Sequence, residues 1–365
     1  MKKKIIKILM ISASSKLGGG PKHIFSLSTK LNNNFKIYYA MPSNEAFSNY
    51  FSENNHLEIA ERKINLKDIF KVKQFVSKND IDMIHAHGKG ASVLARILKL
   101  LINKPLIYTF HGIHLECHNL LARNLYKFFE LTTGFIDTCK IFVSKSESNY
   151  AKKFRIYNGK NYKIINNGVA NKKIKNFEKL NIRKKQENKI KVITICRFVK
   201  QKNIEEILSI AKELEDIQFL ILGNGPLWKN INFLIIKNKL KNILLIGEST
   251  NVFNYLYDSD IFLSTSLYEG LPISVLEAMS VGLPIVASNV VGNCDAIEHE
   301  KEGYLYTLNN VSMASKYISL LAKNYSKRSG MGKQSFQRQR KLFQVDLMIQ
   351  KHMNLYNDVF NEFYN

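Results

Sequence analysis

The sequence has no apolar run long enough to cross a membrane. A spanning helix needs roughly 18 or more consecutive apolar residues, and the 365-residue chain contains no such stretch. Its start is basic, but the apolar run that follows is short, is broken by Lys7 and leads to no small-residue cleavage site. We therefore interpret Ile5–Ser12 as a buried strand and not as part of a signal peptide.

Cysteine is scarce as well. The four cysteines lie far apart and form no Cys-x-x-Cys pair, which argues against a disulfide framework and against a zinc site. A reducing compartment is the simplest interpretation, so we expect a cytoplasmic protein. These cysteines are Cys117, Cys139, Cys196 and Cys294.

Acidic residues are outnumbered by basic ones. The chain has 54 Lys and Arg against 30 Asp and Glu, a net charge of +24, of which +16 falls in residues 1–170. This excess indicates an anionic partner for the first half, either nucleic acid or anionic lipid. A general enrichment in Lys and Asn would explain the same excess without any partner.

Short apolar runs alternate with helical patterns along the whole chain. This alternation is typical of parallel sheets built from β-α-β units. The predicted strands of the first half are Ile5–Ser12, Phe35–Ala40, Met83–Ala86, Leu106–Phe110 and Lys140–Val143. Those of the second half are Val192–Cys196, Phe219–Leu222, Ile243–Ile246, Ile261–Ser264 and Ile285–Ala287. Clear helical patterns include Lys67–Ser77, Ala91–Leu101 and Ile204–Leu214.

The pattern predicts an α/β fold of two doubly wound, Rossmann-like domains that face each other across a cleft. Residues 171–189 are polar and Lys-rich and make the best linker. We place the first domain at residues 1–170 and the second at residues 190–344. The tail, residues 345–365, follows a helical pattern and is a candidate for crossing back to the first domain. Ligands of such sheets bind beyond the carboxyl ends of the strands.

The most informative stretch covers residues 266–288. Gly270 and Pro272 precede a predicted helix, whose free amides and dipole favour an anion. Glu269 lies in the loop before this helix and Glu277 lies within it. Carboxylates beside an anion pocket suit a ligand that also carries hydroxyl groups, so we assign Glu269 to a sugar and Glu277 to a ribose.

This stretch strongly resembles the Glu-x7-Glu motif of the retaining glycosyltransferase family 4, including the flanking Ala-Met, Gly and Val-Ala-Ser positions. The resemblance implies the GT-B fold and a nucleotide diphosphate sugar as the donor. The donor-binding residues of this segment are then Gly270, Leu271, Pro272, Ile273 and Glu277. An ordinary pair of surface glutamates around a capped helix is the alternative for the two carboxylates alone.

A second basic element follows the strand Val192–Cys196. Arg197 offers a planar fork and Lys202 a point charge, which together suit the two phosphoryl groups of a diphosphate. The family typically has Arg and then Lys-Gly five residues later, and Asn203 replaces that Gly here. Gly223 begins a Gly-Asn-Gly-Pro turn that resembles the Gly-x-Gly-Pro turn near the nucleotide base in this family.

Three consecutive glycines follow the first strand. Without a Cβ, they let backbone amides approach a phosphate, although their spacing is not the dinucleotide-binding fingerprint. The segment resembles the Gly-Gly-x-x-x-His start of family 4 enzymes. On that match Gly19 and Gly20 face the donor pyrophosphate, and His23 is a packed helix residue and not a catalyst.

Two histidine pairs follow predicted strands, His85 with His87 and His111 with His114. Four histidines within thirty residues suggest zinc, but no acidic ligand has a clear spacing and we do not favour a metal. The pattern resembles the polysaccharide-building branch of family 4. That resemblance implies a place for His111 beside the reacting sugar.

Two Asp-x-Asp triplets are similar to the cation-holding pair of metal-dependent transferases. They occupy residues 80–82 and 258–260, and each precedes a strand. Because ligands bind at the opposite end of the strands, we interpret both triplets as turn and cap residues. We expect no metal cofactor, with Arg197, Lys202 and helix amides neutralising the leaving diphosphate.

Basic residues around two predicted helices suit contact with anionic lipid. The first helix is residues 89–104, with the basic residues Arg96, Lys99 and Lys104 around its apolar stripe and on its outer rim. The second is residues 119–135, where aromatic residues mix with Arg123 and Lys127. Such docking would serve a lipid-linked acceptor, and simple solvated edges are the alternative.

Together these motifs predict a glycosyltransferase of the cytoplasm or of the inner face of the cell membrane. It would transfer a hexose or derivative, with retention, to a saccharide or lipid-linked saccharide during synthesis of a cell-surface polysaccharide. A nucleotide-sugar 2-epimerase on the same fold is the alternative enzyme. The charge alone also fits a nucleic-acid-binding protein, but no recognition motif appears, and we expect no nucleic acid partner.

Overall fold

The computed structural model divides the chain into two compact units. Unit 1 consists of Met1–Asn167 and Val345–Asn365, and unit 2 of Gly168–Gln344. Cys117 and all of the predicted linker except Lys189 lie outside the residues that the structure describes. The described residues are 4–16, 18–43, 51–52, 54–63, 65–115, 119–157, 159–170, 189–249 and 251–364.

Unit 1 is built on a parallel sheet with helices on both faces. Its strands are β1 (Ile6–Ser12), β2 (Phe35–Ala40), β3 (His56–Leu57), β4 (Met83–His87), β5 (Leu106–Thr109), β6 (Cys139–Phe142) and β7 (Tyr162–Ile164). Its helices are α1 (Gly19–Ser28), α2 (Leu66–Lys78), α3 (Lys89–Leu101), α4 (Leu120–Thr133), α5 (Lys145–Lys153) and the tail helix Val345–Tyr364. The strands lie in the order β3-β2-β1-β4-β5-β6-β7.

Burial on both faces explains why the central strands are almost continuously apolar. Successive side chains of a strand point to opposite faces. Accordingly, Ile8 and Met10 of β1 belong to one hydrophobic cluster, and Leu9 and Ile11 belong to another. The tail helix Val345–Tyr364 packs its apolar stripe into the cluster that contains Ile8.

Unit 2 repeats this architecture with a parallel sheet of six strands among its described residues. They are β8 (Lys191–Ile195), β9 (Gln218–Leu222), β10 (Ile243–Gly247), β11 (Ile261–Ser264), β12 (Ile285–Ser288) and β13 (Gly303–Tyr306), in the order β10-β9-β8-β11-β12-β13. The helices are α6 (Ile204–Glu213), α7 (Trp228–Lys237), α8 (Val252–Tyr257), α9 (Ile273–Ser280), α10 (Asn293–Ala296), α11 (Val311–Lys323) and α12 (Tyr325–Leu342), so the tail helix is α13. Among all described helices, none is long and apolar enough to cross a bilayer.

The ten predicted strands are all present, with ends that differ by at most one residue. Three strands were missed, β3, β7 and β13, and each of them lies at the edge of its sheet. An edge strand pairs on one side only and is often short. The missed strands therefore lack the long apolar run that marks a central strand, whereas the edge strand β10 carries the run Ile243–Ile246 and was predicted.

Arg96 does not lie on the outer rim of α3, so its predicted contact with lipid is wrong. Its side chain is 2% exposed. The guanidinium donates to both carboxylate oxygens of Asp137, at 2.9 and 2.7 Å, and to Glu130 at 2.8 Å. These contacts join α3 to α4 and to the start of β6, because a buried guanidinium needs acidic partners.

Replacing Arg96 by Met should lower the free energy of unfolding by about 3–5 kcal/mol, because Glu130 loses its buried partner. Lys140 remains 2.8 Å from Asp137 and limits the loss at that carboxylate. The control Lys71→Met removes the same charge from the exposed side of α2 and should cost less than about 0.5 kcal/mol. Urea unfolding measures both variants, and equal losses would contradict this account of Arg96.

Candidate functional site

Most of the predicted site residues follow the strands at which each sheet reverses its order. In unit 1 the order reverses between β1 and β4, and in unit 2 between β8 and β11. Ligands of doubly wound sheets bind at the carboxyl ends of the strands at such a point. Gly19 and Gly20 follow β1, Arg197 and Lys202 follow β8, and Glu269 follows β11.

Lys202 and Glu269 meet at the switch point of unit 2. The Lys202 ammonium donates to Oε1 of Glu269, and the Ser266 hydroxyl donates to the same oxygen at 2.6 Å. The Lys202 and Glu269 side chains are 17% and 8% exposed, so the ion pair is largely shielded from water. Among the described residues, no group donates to Oε2 of Glu269, and this oxygen remains for a ligand.

Three hydrogen bonds tie the short turn Lys200–Lys202 to the loop after β11. The Leu267 amide donates to the Gln201 carbonyl at 2.8 Å, and the Gln201 side chain donates to the Tyr268 carbonyl at 2.9 Å. The Thr265 hydroxyl donates to the Lys202 carbonyl at 2.8 Å. The two segments that carry the basic and acidic groups are therefore held together by their backbones.

Arg197 is half-buried two residues after β8. Within the part of the chain that the structure describes, its guanidinium forms no ion pair and no hydrogen bond. A partly buried guanidinium without a protein partner is costly unless a ligand or water satisfies it. Arg197 therefore offers its full set of donors to an anion.

The loop Gly270–Pro272 leads into α9, which begins at Ile273 with Pro272 as its N-cap. No side chain caps this helix start, and no acidic residue lies in its first turn. The first amides are thus free to bind an anion. Glu277 is the fifth residue of the helix and is buried, 6% exposed.

Asn203 explains how the chain accommodates its departure from the family's Lys-Gly pair. The residue adopts the left-handed conformation, with φ 49° and ψ 48°. Glycine adopts it without cost, and asparagine is among the few other residues that tolerate it. The substitution therefore preserves the turn that presents Lys202.

Gly223 supports the segment that carries Arg197. Its φ is +128°, and a Cβ at this position would lie 1.9 Å from the carbonyl oxygen of Cys196. The turn after β9 also accepts a hydrogen bond from the Phe198 amide, at 2.9 Å on the Asn224 carbonyl. Gly223 therefore permits the close backbone contact that positions Arg197.

In unit 1 the structure brings Gly20 next to His111. Gly19 and Gly20 are the first two residues of α1, and a Cβ on Gly20 would lie 4.0 Å from the His111 ring. Pro21 has no amide hydrogen, so the free donors of this helix start are the two glycine amides. The helix has no side-chain cap and no acidic residue in its first turn.

His111 belongs to a cluster of five histidines. The other four are His23 of α1, His85 and His87 of β4, and His352 of α13. The ring centroids lie 5.0 Å apart for His23 and His111 and 5.4 Å apart for His23 and His352. Burial lowers the pKa of both His111 and His352 to about 4. Burial and the neighbouring imidazoles lower the pKa of the other three well below 6.5. The cluster is therefore neutral at pH 7.

Glu147 anchors the loop that carries His111. Its carboxylate is fully buried and accepts hydrogen bonds from the Gly112 amide at 2.6 Å and the Val143 amide at 2.9 Å. Glu147 is the third residue of α5, and its amide donates to the hydroxyl of the cap residue Ser144 at 3.1 Å. Because Gly112 directly follows His111, the hydrogen bond from the Gly112 amide holds the loop of His111 in place.

The two Asp-x-Asp triplets lie at the amino ends of β4 and β11, as predicted. Asp82 accepts a hydrogen bond from the Lys7 amide at 2.9 Å, and Asp260 accepts one from the Lys191 amide at 3.0 Å. Both carboxylates thus bind the first residues of the neighbouring strand in their own unit. Each triplet therefore ties the start of its own strand to the start of the neighbouring one.

Two family models match the chain in consecutive segments. Residues 17–172 match Glycosyltransferase Family 4, and residues 175–338 match Glycosyl transferases group 1. The chain belongs to the family 4 type of glycosyltransferases.

Curated relatives of this glycosyltransferase share its sequence at moderate identity. It is 28% identical over 261 residues to the UDP-Gal:alpha-D-GlcNAc-diphosphoundecaprenol alpha-1,3-galactosyltransferase of Escherichia coli, covering 67% of each chain. It is 25% identical over 313 residues to the capsular polysaccharide biosynthesis glycosyltransferase CapH of Staphylococcus aureus, covering 82% of this chain and 85% of that one.

Solved structures show the GT-B fold. The structure of Anabaena HepE in complex with UDP and glucose superimposes with a TM-score of 0.81 at 18% identity, covering 96% of this chain and 99% of that one. A sucrose-phosphate synthase of Thermosynechococcus elongatus superimposes with a TM-score of 0.80 at 16% identity, covering 98% and 100%.

The sequence did not reveal every residue that shapes the two sites of this glycosyltransferase. Ser266 and Asn203 lie inside recognised motifs, but their contacts depend on the loop geometry. His352 lies in α13, more than two hundred residues after His111, and no local pattern connects it to the cluster. His23 was noted only as a packed helix residue, and its proximity to His87 and His111 is a tertiary feature.

Gly223→Ala should destabilise the enzyme more than Gly247→Ala. Both glycines have positive φ, but a Cβ at Gly247 meets nothing within 4 Å, so that variant should cost only about 1 kcal/mol of backbone strain. In Gly223→Ala the Cys196 backbone must also move. Thermal denaturation compares the two variants, and similar melting temperatures would contradict the proposed support of Arg197.

Proposed function

We propose that this glycosyltransferase transfers a hexose or hexose derivative from a nucleotide diphosphate sugar to a saccharide or lipid-linked saccharide. The reaction proceeds with retention and contributes to a cell-surface polysaccharide. The observation that carries the proposal is the arrangement in unit 2. There Arg197, whose guanidinium pairs with none of the described residues, lies on the same segment as Lys202, the partner of Glu269.

The names of the relatives support this choice of substrates. The Escherichia coli relative is named for a UDP-galactose donor and a diphosphoundecaprenol-linked acceptor, and the Staphylococcus aureus relative for capsular polysaccharide. We propose the same chemical classes for this enzyme. Retention rests on the family resemblance, and proton NMR of the product linkage tests it.

In the proposed mechanism, unit 2 binds the diphosphate and holds it as it leaves. Arg197 and Lys202 neutralise its charge together with amides of the segment Gly270–Ile273, so no metal ion is needed there. Glu277 accepts hydrogen bonds from the ribose. Fixed donors of this kind stabilise a developing charge without reorganisation, which favours departure of the diphosphate.

We assign the hexose to Glu269 and His111. Oε2 of Glu269 accepts hydrogen bonds from its hydroxyls, while Oε1 stays with Lys202. The family resemblance assigns His111 of unit 1 to the hexose and the amides of Gly19 and Gly20 to the pyrophosphate. Attack of the acceptor and departure of the diphosphate then occur on one face of the sugar.

The variants Glu269→Gln and Arg197→Ala should separate contact with the hexose from binding of the diphosphate. Glu269→Gln should lower kcat by about 10²–10³ without weakening nucleoside diphosphate binding, because it contacts the hexose. Arg197→Ala should weaken that binding by roughly 10–100-fold, since it removes charge-assisted hydrogen bonds. A thermal-shift panel of nucleotide sugars first identifies the donor, and calorimetry and initial rates then measure the variants.

Glu213→Gln and Lys212→Ala are matched controls, because both residues are exposed at the end of α6. They should retain wild-type rates and affinities. Near-wild-type activity of both site variants would refute the proposed site. Donor conversion without any acceptor would instead favour a nucleotide-sugar 2-epimerase.

We further propose that α4 docks this enzyme on an anionic membrane surface. Its exposed apolar side chains follow a helical stripe, with Leu121, Leu125 and Phe128 exposed by 70%, 59% and 67%, and Phe135 just after the helix by 82%. Arg123 and Lys127 lie on the other side of α4, half-buried, with their charged groups 5.6 and 5.4 Å from the centroid of the Phe154 ring. An exposed apolar helix face suits a bilayer interface, and the excess of basic residues in the first half of the chain favours an anionic one.

The double variant Leu125→Glu/Phe128→Glu should bind vesicles containing phosphatidylglycerol roughly 100-fold more weakly, because two apolar anchors are lost. Phe233→Glu is the control, since Phe233 is 59% exposed on α7 of unit 2. Vesicle co-sedimentation at several salt concentrations measures the binding. Equal binding by the double variant and the wild type would contradict docking through α4.

A further inference from the structure

Three imidazoles of unit 1 converge from three different elements. His23 comes from α1, His87 ends β4 and His111 follows β5. One ring nitrogen from each lies within 4.8 Å of the others. His87 and His23 are buried, and His111 is half-buried.

The hydrogen bond of His23 fixes which of its nitrogens can bind a ligand. Nδ1 lies 2.9 Å from the side-chain oxygen of Asn167. An amide oxygen only accepts hydrogen bonds, so Nδ1 carries the proton and Nε2 carries a lone pair. Among the described residues, Nε2 is buried and has no hydrogen-bond partner, which is costly for a buried polar atom.

The contacts of His87 leave a second lone pair, on the nitrogen that lies next to the His111 ring. Its Nε2 lies 3.4 Å from the sulfur of Met10, a weak acceptor, and its Nδ1 lies 3.2 Å from Nε2 of His111. With the proton on Nε2 of His87, its Nδ1 accepts from His111. A metal ion would take the place of that shared proton, after His111 moves its hydrogen to Nδ1.

His85, in the same cluster, differs because both of its ring nitrogens have hydrogen-bond partners. Its Nδ1 lies 2.7 Å from the Tyr356 hydroxyl and its Nε2 lies 2.7 Å from the Thr109 hydroxyl. Both nitrogens are therefore engaged. The difference separates His23, His87 and His111 from His85.

We propose that His23, His87 and His111 bind one Zn²⁺ ion. Neutral imidazoles are preferred ligands of zinc, and three of them with an open fourth position form a common tetrahedral site. The half-buried face of His111 provides that position. Asn167 orients His23 from outside the site, as partners of metal-bound histidines usually do. Because the group lacks carboxylates, it suits zinc and not Mg²⁺.

Zinc at this site would oppose the transfer reaction, a consequence that rests on the proposed function. Nε2 of His111 cannot bind the metal and contact the hexose at the same time. Bound zinc should therefore weaken binding of the nucleotide sugar while leaving binding of the nucleoside diphosphate unchanged. In this respect the proposed zinc ion differs from a cation that would bind and neutralise the diphosphate.

Titration of the full-length protein with Zn²⁺ alone, followed by calorimetry, tests the site. The wild type should bind one ion per chain. His23→Gln and His111→Gln should each weaken binding by about 100-fold or more, and Asn167→Leu by roughly 10–100-fold. His56→Gln is the control, because His56 lies in β3 of the same unit and bonds to the Met41 carbonyl. Co²⁺ should give the visible absorption bands of tetrahedral coordination.

Near-ultraviolet circular dichroism confirms that each variant is folded, and His111→Gln changes the least buried ligand. Zinc binding that is absent, or equal in wild type, His23→Gln and His111→Gln, would overturn the proposed site. Zinc binding that leaves nucleotide-sugar affinity unchanged would keep the metal site and reject the hexose contact of His111. Failure of the donor panel alone would reject only the proposed function.

Discussion

The ion pair between Lys202 and Glu269 is the contact on which the donor site of this glycosyltransferase depends. It joins the segment after β8 to the segment after β11, and three backbone-directed hydrogen bonds reinforce the same junction. A largely shielded lysine and glutamate stabilise each other only when their geometry is fixed. Their fixed position leaves one glutamate oxygen and the neighbouring guanidinium for a sugar diphosphate.

The pair also shows how parallel sheets create a binding site. Strands β8 and β11 are adjacent in space but distant in sequence, and their carboxyl ends bring residues 202 and 269 together. The same reversal in unit 1 places the first turn of α1 beside the loop that carries His111. In each unit, therefore, the candidate site residues lie at the carboxyl ends of the strands where the strand order reverses.

Much of this arrangement was predictable from the sequence. Central strands such as β11 have continuous apolar runs because both of their faces are buried, and their ends could be assigned to within a residue. Among the described edge strands, β3, β7 and β13 could not be predicted, since one-sided pairing requires no such run, whereas β10 was predicted because it has one. Arg197 and Glu269 were recognisable because motif spacing reflects a local turn. The burial of Arg96 and the histidine cluster depend on contacts between distant elements, and no local pattern records them.

A crystal structure with the nucleoside diphosphate that most stabilises the enzyme tests the central claim most directly. The account predicts phosphate oxygens within hydrogen-bond distance of the Arg197 guanidinium, the Lys202 ammonium and the first amides of α9. Glu269 should remain beside the terminal phosphate, where the sugar is attached. A diphosphate bound elsewhere, with Arg197 still without a partner, would contradict it.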